Sequence, residues 1–345
     1  MRSSIVFFGK FPSRGKLLRA MKMADVTGYA WEEILVSSGG IEDLPSRFSH
    51  RPLFLVGNHE SALSFLEEEW VKEGEFDGIQ VFKRDCNSVF LLENIPDSIF
   101  NPENLPQNLL GNSYGKTYFL FPQVDPPALE SLKNISGNFQ VFQIESHTLL
   151  HFVFDGNQES SKVYFQDVSF QIQNFLKIKS DLFFFGERFL WQELGEELLL
   201  KKKKVSVAES LTGGLISQLL TETPGASNYF HQGLVTYRTE AKANTLGVGR
   251  EILERGVFSD DVALAMAERA RELSGADFGV GITGLAGPGG GTKEVPVGTV
   301  FICVAGENRV MVKKFLFEGS REEVRFQSAC WAMLLLRSLL EEPAP

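Results

Sequence analysis

The side chains that could carry out nucleophilic chemistry lie close together in the sequence, between residues 205 and 291. Ser227 follows a Pro-Gly-Ala turn, and Tyr237 and Lys242 come within the next fifteen residues. A serine attacks an amide carbon when a base takes its proton, and a lysine becomes such a base when burial lowers its pKa. Ser227 and Lys242 are therefore candidates for this chemistry. On spacing alone, a serine after Gly-Ala is most often a turn residue or a cap, and a lone helical lysine is most often a solvated side chain.

Other catalytic arrangements have little support in this stretch. It contains a single histidine, His231, and no cysteine. A Ser-His-Asp or Cys-His arrangement needs partners that the stretch lacks. From the residues alone, an enzyme and a nucleotide-binding module remain equally open.

Two glycine-rich loops bracket these candidates. The front loop follows a predicted strand at 205–208 and leads into a predicted helix at 213–222. A helix start presents backbone N–H groups and the positive end of the helix dipole, which suit an anionic ligand. The back loop follows a predicted strand at 278–283, and open α/β sheets bind ligands at that edge. The candidate binding residues of the two loops are Ser210, Thr212, Gly213 and Gly214 in front, and Thr283, Gly284, Gly287, Gly289 and Gly290 behind.

Three predicted domains position these loops. Residues 1–125 alternate strands at 5–8, 53–56, 79–82, 89–92 and 118–122 with helices at 16–24 and 61–71, a rhythm typical of a parallel sheet with crossover helices. Residues 126–190 form a small α+β unit with a helix at 126–134, strands at 139–144 and 148–154, a turn at 155–157, a strand at 163–165 and a helix at 170–177.

Residues 191–345 form the domain that carries the candidate site. The pattern predicts helices at 191–204, 213–222, 240–246, 251–255, 260–274 and 321–340, and strands at 205–208, 233–237, 278–283, 297–304 and 310–317. The last two strands are joined by Gly-Glu-Asn and should pair antiparallel. The predicted fold class is α/β, with a C-terminal α/β/α sandwich around a mixed sheet.

Composition narrows the class of protein. The formal net charge of -10 argues against a nucleic-acid surface, because phosphate neutralisation needs clustered Lys and Arg. The basic run at 201–204 follows a helix, where cations complement the dipole. Three distant cysteines fit reduced thiols of a cytoplasmic protein, with Cys303 and Cys330 in apolar, core-like segments. No apolar run is long enough to span a membrane, and the histidines show no zinc spacing.

Six sequence blocks together resemble the CinA C-terminal domain, in that family's order over about 150 residues. The blocks are Ala-Glu-Ser-Leu-Thr-Gly-Gly (208–214), Gly-Ala-Ser-Asn-Tyr-Phe (225–230), Val-Thr-Tyr-Arg-Thr-Glu-Ala-Lys (235–242), Leu-Gly-Val (246–248), Thr-Gly-Leu-Ala-Gly-Pro-Gly-Gly-Gly (283–291) and Pro-Val-Gly-Thr-Val (296–300). This chain differs from the usual family pattern in having Leu211 for Cys, Thr239 for Asn and Val295 for Lys.

The resemblance implies a nicotinamide-nucleotide amidase that hydrolyses nicotinamide mononucleotide to the acid and ammonia, without metal or cofactor. It implies that Ser227 is the nucleophile, that Lys242 activates it, and that Tyr237 orients the pair or contacts substrate. Arg321 matches the family's basic substrate-binding position, where a guanidinium suits phosphate oxygens. The family also makes a homodimer the expected assembly. A non-catalytic nucleotide-binding protein linked to competence or DNA damage stays open as the alternative.

The N-terminal half resembles the family less closely. Full-length CinA proteins carry a molybdopterin-binding-like domain and a small KH-like domain there, and residues 126–190 resemble the latter. The first domain's Gly-Gly-Leu-Gly-Pro-Thr is replaced by Ser-Gly-Gly-Ile at 38–41. Metal-assisted diphosphate cleavage needs clustered carboxylates and a phosphate-cradling loop. We therefore predict a degenerate first domain that keeps its fold and has lost its pyrophosphatase chemistry.

Overall fold

A computed structural model describes residues 3–8, 20–21, 23–24, 31–37, 53–56, 66–67, 70–76, 79–84, 87–92, 113–122, 139–144, 147–179 and 182–341. The chain divides into two compact units. The first comprises Met1–Thr117, Glu130–Val141 and Leu150–Phe175, and the second comprises Tyr118–Leu129, Phe142–Leu149 and Leu176–Pro345. The proposed boundaries of three domains stay a prediction, as do the molybdopterin-binding-like and KH-like folds.

The first unit contains a six-stranded sheet of mixed direction. Its strands are β1 (Ser3–Phe8), β2 (Trp31–Ser37), β3 (Leu53–Val56), β4 (Val71–Phe76), β5 (Ile79–Arg84) and β6 (Asn87–Leu92). They lie in the order β2-β1-β3-β6-β5-β4, parallel as far as β6 and antiparallel beyond it. The predicted strands are present, and β2 and β4 were not predicted. The β4 sequence, Val-Lys-Glu-Gly-Glu-Phe, carries charges that suit its position at the sheet edge.

A four-stranded sheet has the order β10-β7-β9-β8. Its strands are β7 (Ser113–Phe121), β8 (Phe139–Ile144), β9 (His147–Asp155) and β10 (Phe184–Gly186). The predicted strand at 163–165 is wrong, because these residues lie inside the long helix α1 (Gln158–Lys179). The helix prediction at 126–134 lies outside the described residues, as do most positions of the helices predicted at 16–24 and 61–71.

The C-terminal part has alternating helices and strands. Its helices are α2 (Leu190–Leu200), α3 (Leu215–Leu220), α4 (Thr239–Leu246), α5 (Arg250–Arg255), α6 (Asp260–Ser274) and α7 (Arg321–Glu341). Its strands are β11 (Val205–Glu209), β12 (Phe230–Val235), β13 (Phe278–Gly284), β14 (Thr299–Ala305) and β15 (Val310–Leu316). The predicted elements are present, with β12 shifted a few residues toward the N-terminus.

The strands of this part form one mixed sheet in the order β12-β11-β13-β14-β15. β12, β11 and β13 run parallel, and β14 and β15 are added antiparallel. The mixed α/β class and the antiparallel pairing of the last two strands are confirmed. Cys303 and Cys330 are buried in the core, as predicted. Within the described ranges, no helix combines the length and the apolar character that a membrane crossing requires.

Candidate active site

The three parallel strands bring the candidate residues to one edge of the sheet. β11 ends at Glu209, its neighbour β12 ends at Val235, and β13 ends at Gly284. Because the carboxyl ends of parallel strands lie at the same edge, the front loop, the segment leading to α4 and the back loop all start there. The topology thus places at one edge residues that are far apart in the sequence.

Lys242 lies at the centre of this edge. It is held on helix α4 and is 1% exposed. Its ammonium group donates hydrogen bonds to Ser210 Oγ at 3.0 Å and to the carbonyl oxygen of Thr236 at 2.8 Å. A third, longer contact of 3.5 Å reaches the carbonyl oxygen of Tyr237. The side chain therefore joins the end of β11 to the end of β12.

Burial lowers the pKa of Lys242 from 10.5 to about 8. The physical cause is desolvation of the ammonium, because burial disfavours the charged form. Near neutral pH a measurable fraction of Lys242 is then an unprotonated amine. Such an amine can accept the proton of Ser210, which is itself only 4% exposed.

Tyr237, Arg321 and the back loop also meet. Arg321 donates one hydrogen bond of 2.6 Å to the Tyr237 hydroxyl and another of 2.6 Å to the carbonyl oxygen of Gly287. Tyr237 is 53% exposed, and Arg321 is exposed as well. A guanidinium that remains accessible to solvent at the rim of the site is well placed to contact an anionic group of a ligand.

Ser227 occupies a different environment. It is exposed on the short 3-10 turn Ala226–Asn228, directly before β12. Among the described residues, no hydrogen bond links Ser227 with Lys242, and the serine that meets Lys242 is Ser210. The structure therefore pairs the lysine with a serine that the sequence analysis had assigned to substrate binding, while the role of Ser227 stays a prediction.

The front loop binds an anion that belongs to the protein itself. Glu209 is buried, and its carboxylate accepts the N–H groups of Gly214, Ile216 and Ser217 at 2.9–3.1 Å and the Ser217 hydroxyl at 2.6 Å. The N–H groups at the start of α3, expected to face a ligand, donate instead to this carboxylate. Gly213 and Gly214 have φ values of 60° and 95°, which favour glycine and let the chain turn around Glu209.

The back loop has a buried base and an exposed tip. Thr283 is buried, and its hydroxyl donates to the carbonyl oxygen of Val257 at 3.1 Å. Gly284 approaches β14 so closely that a Cβ would lie 2.5 Å from the carbonyl oxygen of Thr299. Gly287 is buried beside Arg321, whereas Gly289 and Gly290 are exposed. Of the predicted back-loop residues, Gly287 is therefore the one hydrogen-bonded to Arg321.

Two buried hydroxyl groups at this edge have no hydrogen-bond partner among the described residues, namely those of Thr212 and Thr236. Both residues are at most 1% exposed. Buried polar groups are rarely left unpaired, and at a candidate site a ligand is one explanation. Thr212 was predicted to bind substrate, and Thr236 was not predicted.

Sequence reasoning missed two charged residues that shape the front loop. Glu209 caps the loop as described above, and Arg325 of α7 donates to the carbonyl oxygens of Leu211 at 3.2 Å and Thr212 at 2.7 Å. An acid directly before a Ser-x-Thr-Gly-Gly turn could have indicated Glu209 as a cap. Arg325 lies more than a hundred positions from the loop, and no local pattern indicates it. Within the described residues, no group of three or more His, Cys, Asp or Glu side chains could hold a metal ion.

The fold and the site define an α/β domain whose candidate site, a buried lysine and a serine, lies at the carboxyl edge of parallel strands. The family model described as the CinA C-terminal domain matches residues 187–340. A CinA-like protein of Geotalea uraniireducens is 48% identical over 137 residues, which are 39% of this chain and 33% of that protein. A CinA-like protein of Leptospira biflexa is 44% identical over 154 residues, 44% of this chain and 37% of that protein.

A solved structure extends the comparison. The crystal structure of the competence/damage inducible protein CihA from Agrobacterium tumefaciens is 38% identical in sequence, and the match covers 45% of this chain and 97% of that chain with a TM-score of 0.43. The family match thus concerns the C-terminal part of the chain, residues 187–340, which is similar to the CinA C-terminal domain. The chain spans about a third of the length of the curated relatives it matches.

Proposed function

We propose that this protein is an amidohydrolase that converts nicotinamide mononucleotide to nicotinate mononucleotide and ammonia. The observation that carries the proposal is the buried Lys242, whose Nζ lies 3.0 Å from Ser210 Oγ and whose pKa burial lowers to about 8. The choice of substrate rests on the resemblance of the six sequence blocks to the CinA C-terminal domain. The names of the relatives specify no reaction.

The proposed reaction uses a covalent serine intermediate. The neutral Lys242 takes the serine proton while the serine oxygen attacks the carboxamide carbon. The tetrahedral intermediate collapses as its C–N bond breaks, and the nitrogen leaves as ammonia with the proton that Lys242 returns. Water, deprotonated by Lys242, then attacks the ester carbon, and the C–O bond to serine breaks as Lys242 returns this proton to the serine oxygen. The products are the carboxylic acid and the free serine.

The geometry favours Ser210 as the hydroxyl that Lys242 activates, because it is the serine within hydrogen-bond reach. Ser227, assigned as nucleophile by the family resemblance, lies on an exposed turn. Both serines are therefore included in the test, and their variants separate the two assignments.

Arg321 is proposed to contact the substrate phosphate. Its guanidinium is exposed beside Tyr237 and Gly287, on the open side of the site. A planar guanidinium matches phosphate oxygens with two parallel hydrogen bonds. Contact with a phosphate would require Arg321 to exchange one or both of its present partners for the ligand.

Ammonia release from nicotinamide mononucleotide tests the proposal. Wild-type protein is expected to release ammonia, and Lys242→Met and Ser210→Ala are expected to lower kcat by at least about 10³-fold, because the base or the nucleophile is lost. If Ser227 is the nucleophile, Ser227→Ala instead shows this loss of kcat, and Ser210→Ala lowers kcat by a smaller factor.

Matched controls keep folding apart from chemistry. Ser206→Ala removes a buried hydroxyl from β11, the strand that leads to Ser210; this hydroxyl pairs with Ser274 Oγ at 2.8 Å. Lys203→Met removes a lysine that pairs with Asp277 at 2.8 Å. Both should keep wild-type kcat. Binding of the nucleotide by the wild type without ammonia release would contradict the amidase and favour the non-catalytic regulatory alternative.

A further inference from the structure

The front loop is fixed by two charged groups with different targets. Arg325 donates from Nε to the Leu211 carbonyl oxygen at 3.2 Å and from Nη2 to the Thr212 carbonyl oxygen at 2.7 Å. Glu209 accepts N–H groups further along the loop and at the start of α3. One charged residue thus holds carbonyl groups and the other holds N–H groups. Each contact is charge-assisted and therefore stronger than a bond between neutral groups.

The N–H groups from Gly213 to Ser217 are used within the protein. Besides the groups bound by Glu209, the Gly213 N–H donates to the Ser210 carbonyl oxygen at 3.0 Å, and the Leu215 N–H donates to the Thr212 carbonyl oxygen at 3.3 Å. The first of these bonds closes a tight turn over residues 210–213. Thr212 therefore lies in the same turn as Ser210, whose hydroxyl meets Lys242.

Thr212 combines an N–H group and a buried hydroxyl that are both without a partner among the described residues. The residue is 0% exposed, its hydroxyl is buried without a partner, and no hydrogen bond within the described part of the chain uses its N–H. The C=O and N–H groups of a planar trans peptide point in opposite directions. Because Arg325 binds the Leu211 carbonyl, the Thr212 N–H points away from the guanidinium. Leaving two buried polar groups unpaired is costly unless a ligand uses them.

We propose that Thr212 binds the carbonyl oxygen of the substrate carboxamide through its N–H and hydroxyl groups, and that Arg325 is the positioning residue that orients them. This inference rests on the proposed amidase function and adds the donors that the reaction needs. When the serine oxygen attacks, negative charge develops on the carboxamide oxygen. Donors fixed in advance at that oxygen stabilise the transition state more than the substrate.

The test measures kcat and KM for ammonia release in Arg325→Met, Arg325→Lys and Thr212→Val. Arg325→Met is expected to lower kcat by about 10²-fold with KM changed less than about threefold, the range found when one oxyanion donor is lost. Thr212→Val keeps the N–H and the shape and removes the hydroxyl, so a loss of at least about tenfold is expected. Arg325→Lys should recover part of the loss, because an ammonium keeps the charge but lacks the planar fork with which the guanidinium reaches the two carbonyls from Nε and Nη2.

Two controls distinguish positioning from general stability. Arg309→Met removes another half-buried arginine that donates to a backbone carbonyl, that of Leu339 at 3.2 Å, and should keep wild-type kcat. In the double variant Arg325→Met with Thr212→Val, the two losses should combine to less than their product, because both act on the same donors. Fully multiplicative losses would show that Arg325 acts elsewhere.

Failure of this inference is distinguishable from failure of the proposed function. An active wild type whose Arg325→Met and Thr212→Val variants keep full kcat overturns the role of these residues and leaves the amidase intact. A wild type that releases no ammonia overturns the amidase. In that case calorimetric binding of nicotinamide mononucleotide decides the inference. A tenfold or greater loss of affinity in Thr212→Val supports contact with the ligand, and unchanged affinity excludes it.

Discussion

At the scale of single residues, the chemistry of Lys242 depends on the absence of a carboxylate partner. All three acceptors of its ammonium are neutral oxygens, from Ser210, Thr236 and Tyr237. A carboxylate at this position would favour the charged form and keep the pKa high. The nearest acid in sequence to Ser210, Glu209, instead directs its two oxygens to the N–H groups around α3 and to Ser217. Among the residues that the structure describes, the lysine is thus buried without a counter-ion, which makes it a usable base near neutral pH.

The amidase rate is expected to rise with pH. Burial lowers the pKa of Lys242 to about 8, and the neutral amine is the form that accepts the serine proton. Below pH 8, kcat/KM should fall about tenfold per pH unit as the lysine becomes protonated, and above pH 8 it should level off. The measurement is a pH profile of kcat/KM, obtained from the rate of ammonia release at substrate concentrations well below KM. A rate that is flat between pH 6 and 9 would be incompatible with Lys242 as the base.

Sequence reasoning predicted the lysine and its chemistry but not its partner. Ser210 and Lys242 are 32 positions apart, and only the parallel pairing of β11 with β12 brings them together. The motif resemblance predicted Ser227 as the partner, which is nearer to Lys242 in the sequence than Ser210 is. A prediction of strand order would have been needed to place Ser210 next to the lysine, and periodicity carries no information about strand order.

At the scale of secondary-structure elements, helix α6 packs directly against strand β13 of the C-terminal sheet. Gly279 and Gly281 lie on one face of β13, and a Cβ at these positions would lie 2.0 Å from the Ala267 carbonyl oxygen and 2.2 Å from that of Ala263. Alternate glycines on a buried strand therefore let the helix backbone approach the sheet directly. This contact fixes β13, whose end carries the back loop of the candidate site.

Gly281→Ala is expected to lower the free energy of unfolding of the C-terminal part by at least about 2 kcal/mol, because the new methyl group must displace helix backbone rather than a side chain. Urea unfolding followed by circular dichroism measures the change. Gly306→Ala is the matched control, since its Cβ would meet Phe278 at an ordinary 3.4 Å, and it should cost less than about 1 kcal/mol. Equal stability of the two variants would mean that α6 can move away from the sheet without cost.

The elements of the C-terminal part were predictable because each has a clear period and clear ends. Helix α6 begins at the Ser259 cap, which accepts the Val262 N–H, and ends at Gly275 in a left-handed conformation. Helix α1 was missed in part because Val-Tyr-Phe at 163–165 has the composition of a strand. The decisive signals were the cap Asn157, which accepts the Ser160 N–H at 2.8 Å, and the buried positions 165, 168, 172 and 176 at helical spacing.

At the scale of the whole molecule, the net charge determines which charged macromolecules the protein can bind. The net charge of -10 opposes approach to a polyanion. The basic run at 201–204 does not form a free cationic surface. Lys201 donates to the Leu340 carbonyl oxygen at the end of α7, at 2.7 Å, and Lys203 pairs with Asp277 at 2.8 Å. Two of the four lysines are thus engaged within the protein. Lys201 contacts the end of α7 and not the end of α2, the helix that precedes the basic run.

We therefore expect no direct binding to duplex DNA, although relatives carry names that refer to competence and damage. Binding to DNA requires several free Lys or Arg at phosphates, and each contact strengthens binding most at low salt. A gel-shift titration of micromolar protein on a short duplex at low salt is expected to show no complex. A shift that disappears in the variant with Lys202 and Lys204 both changed to Glu would contradict this expectation and identify the basic run as a nucleic-acid surface. A shift that survives this change would also contradict it and place the contact elsewhere on the chain.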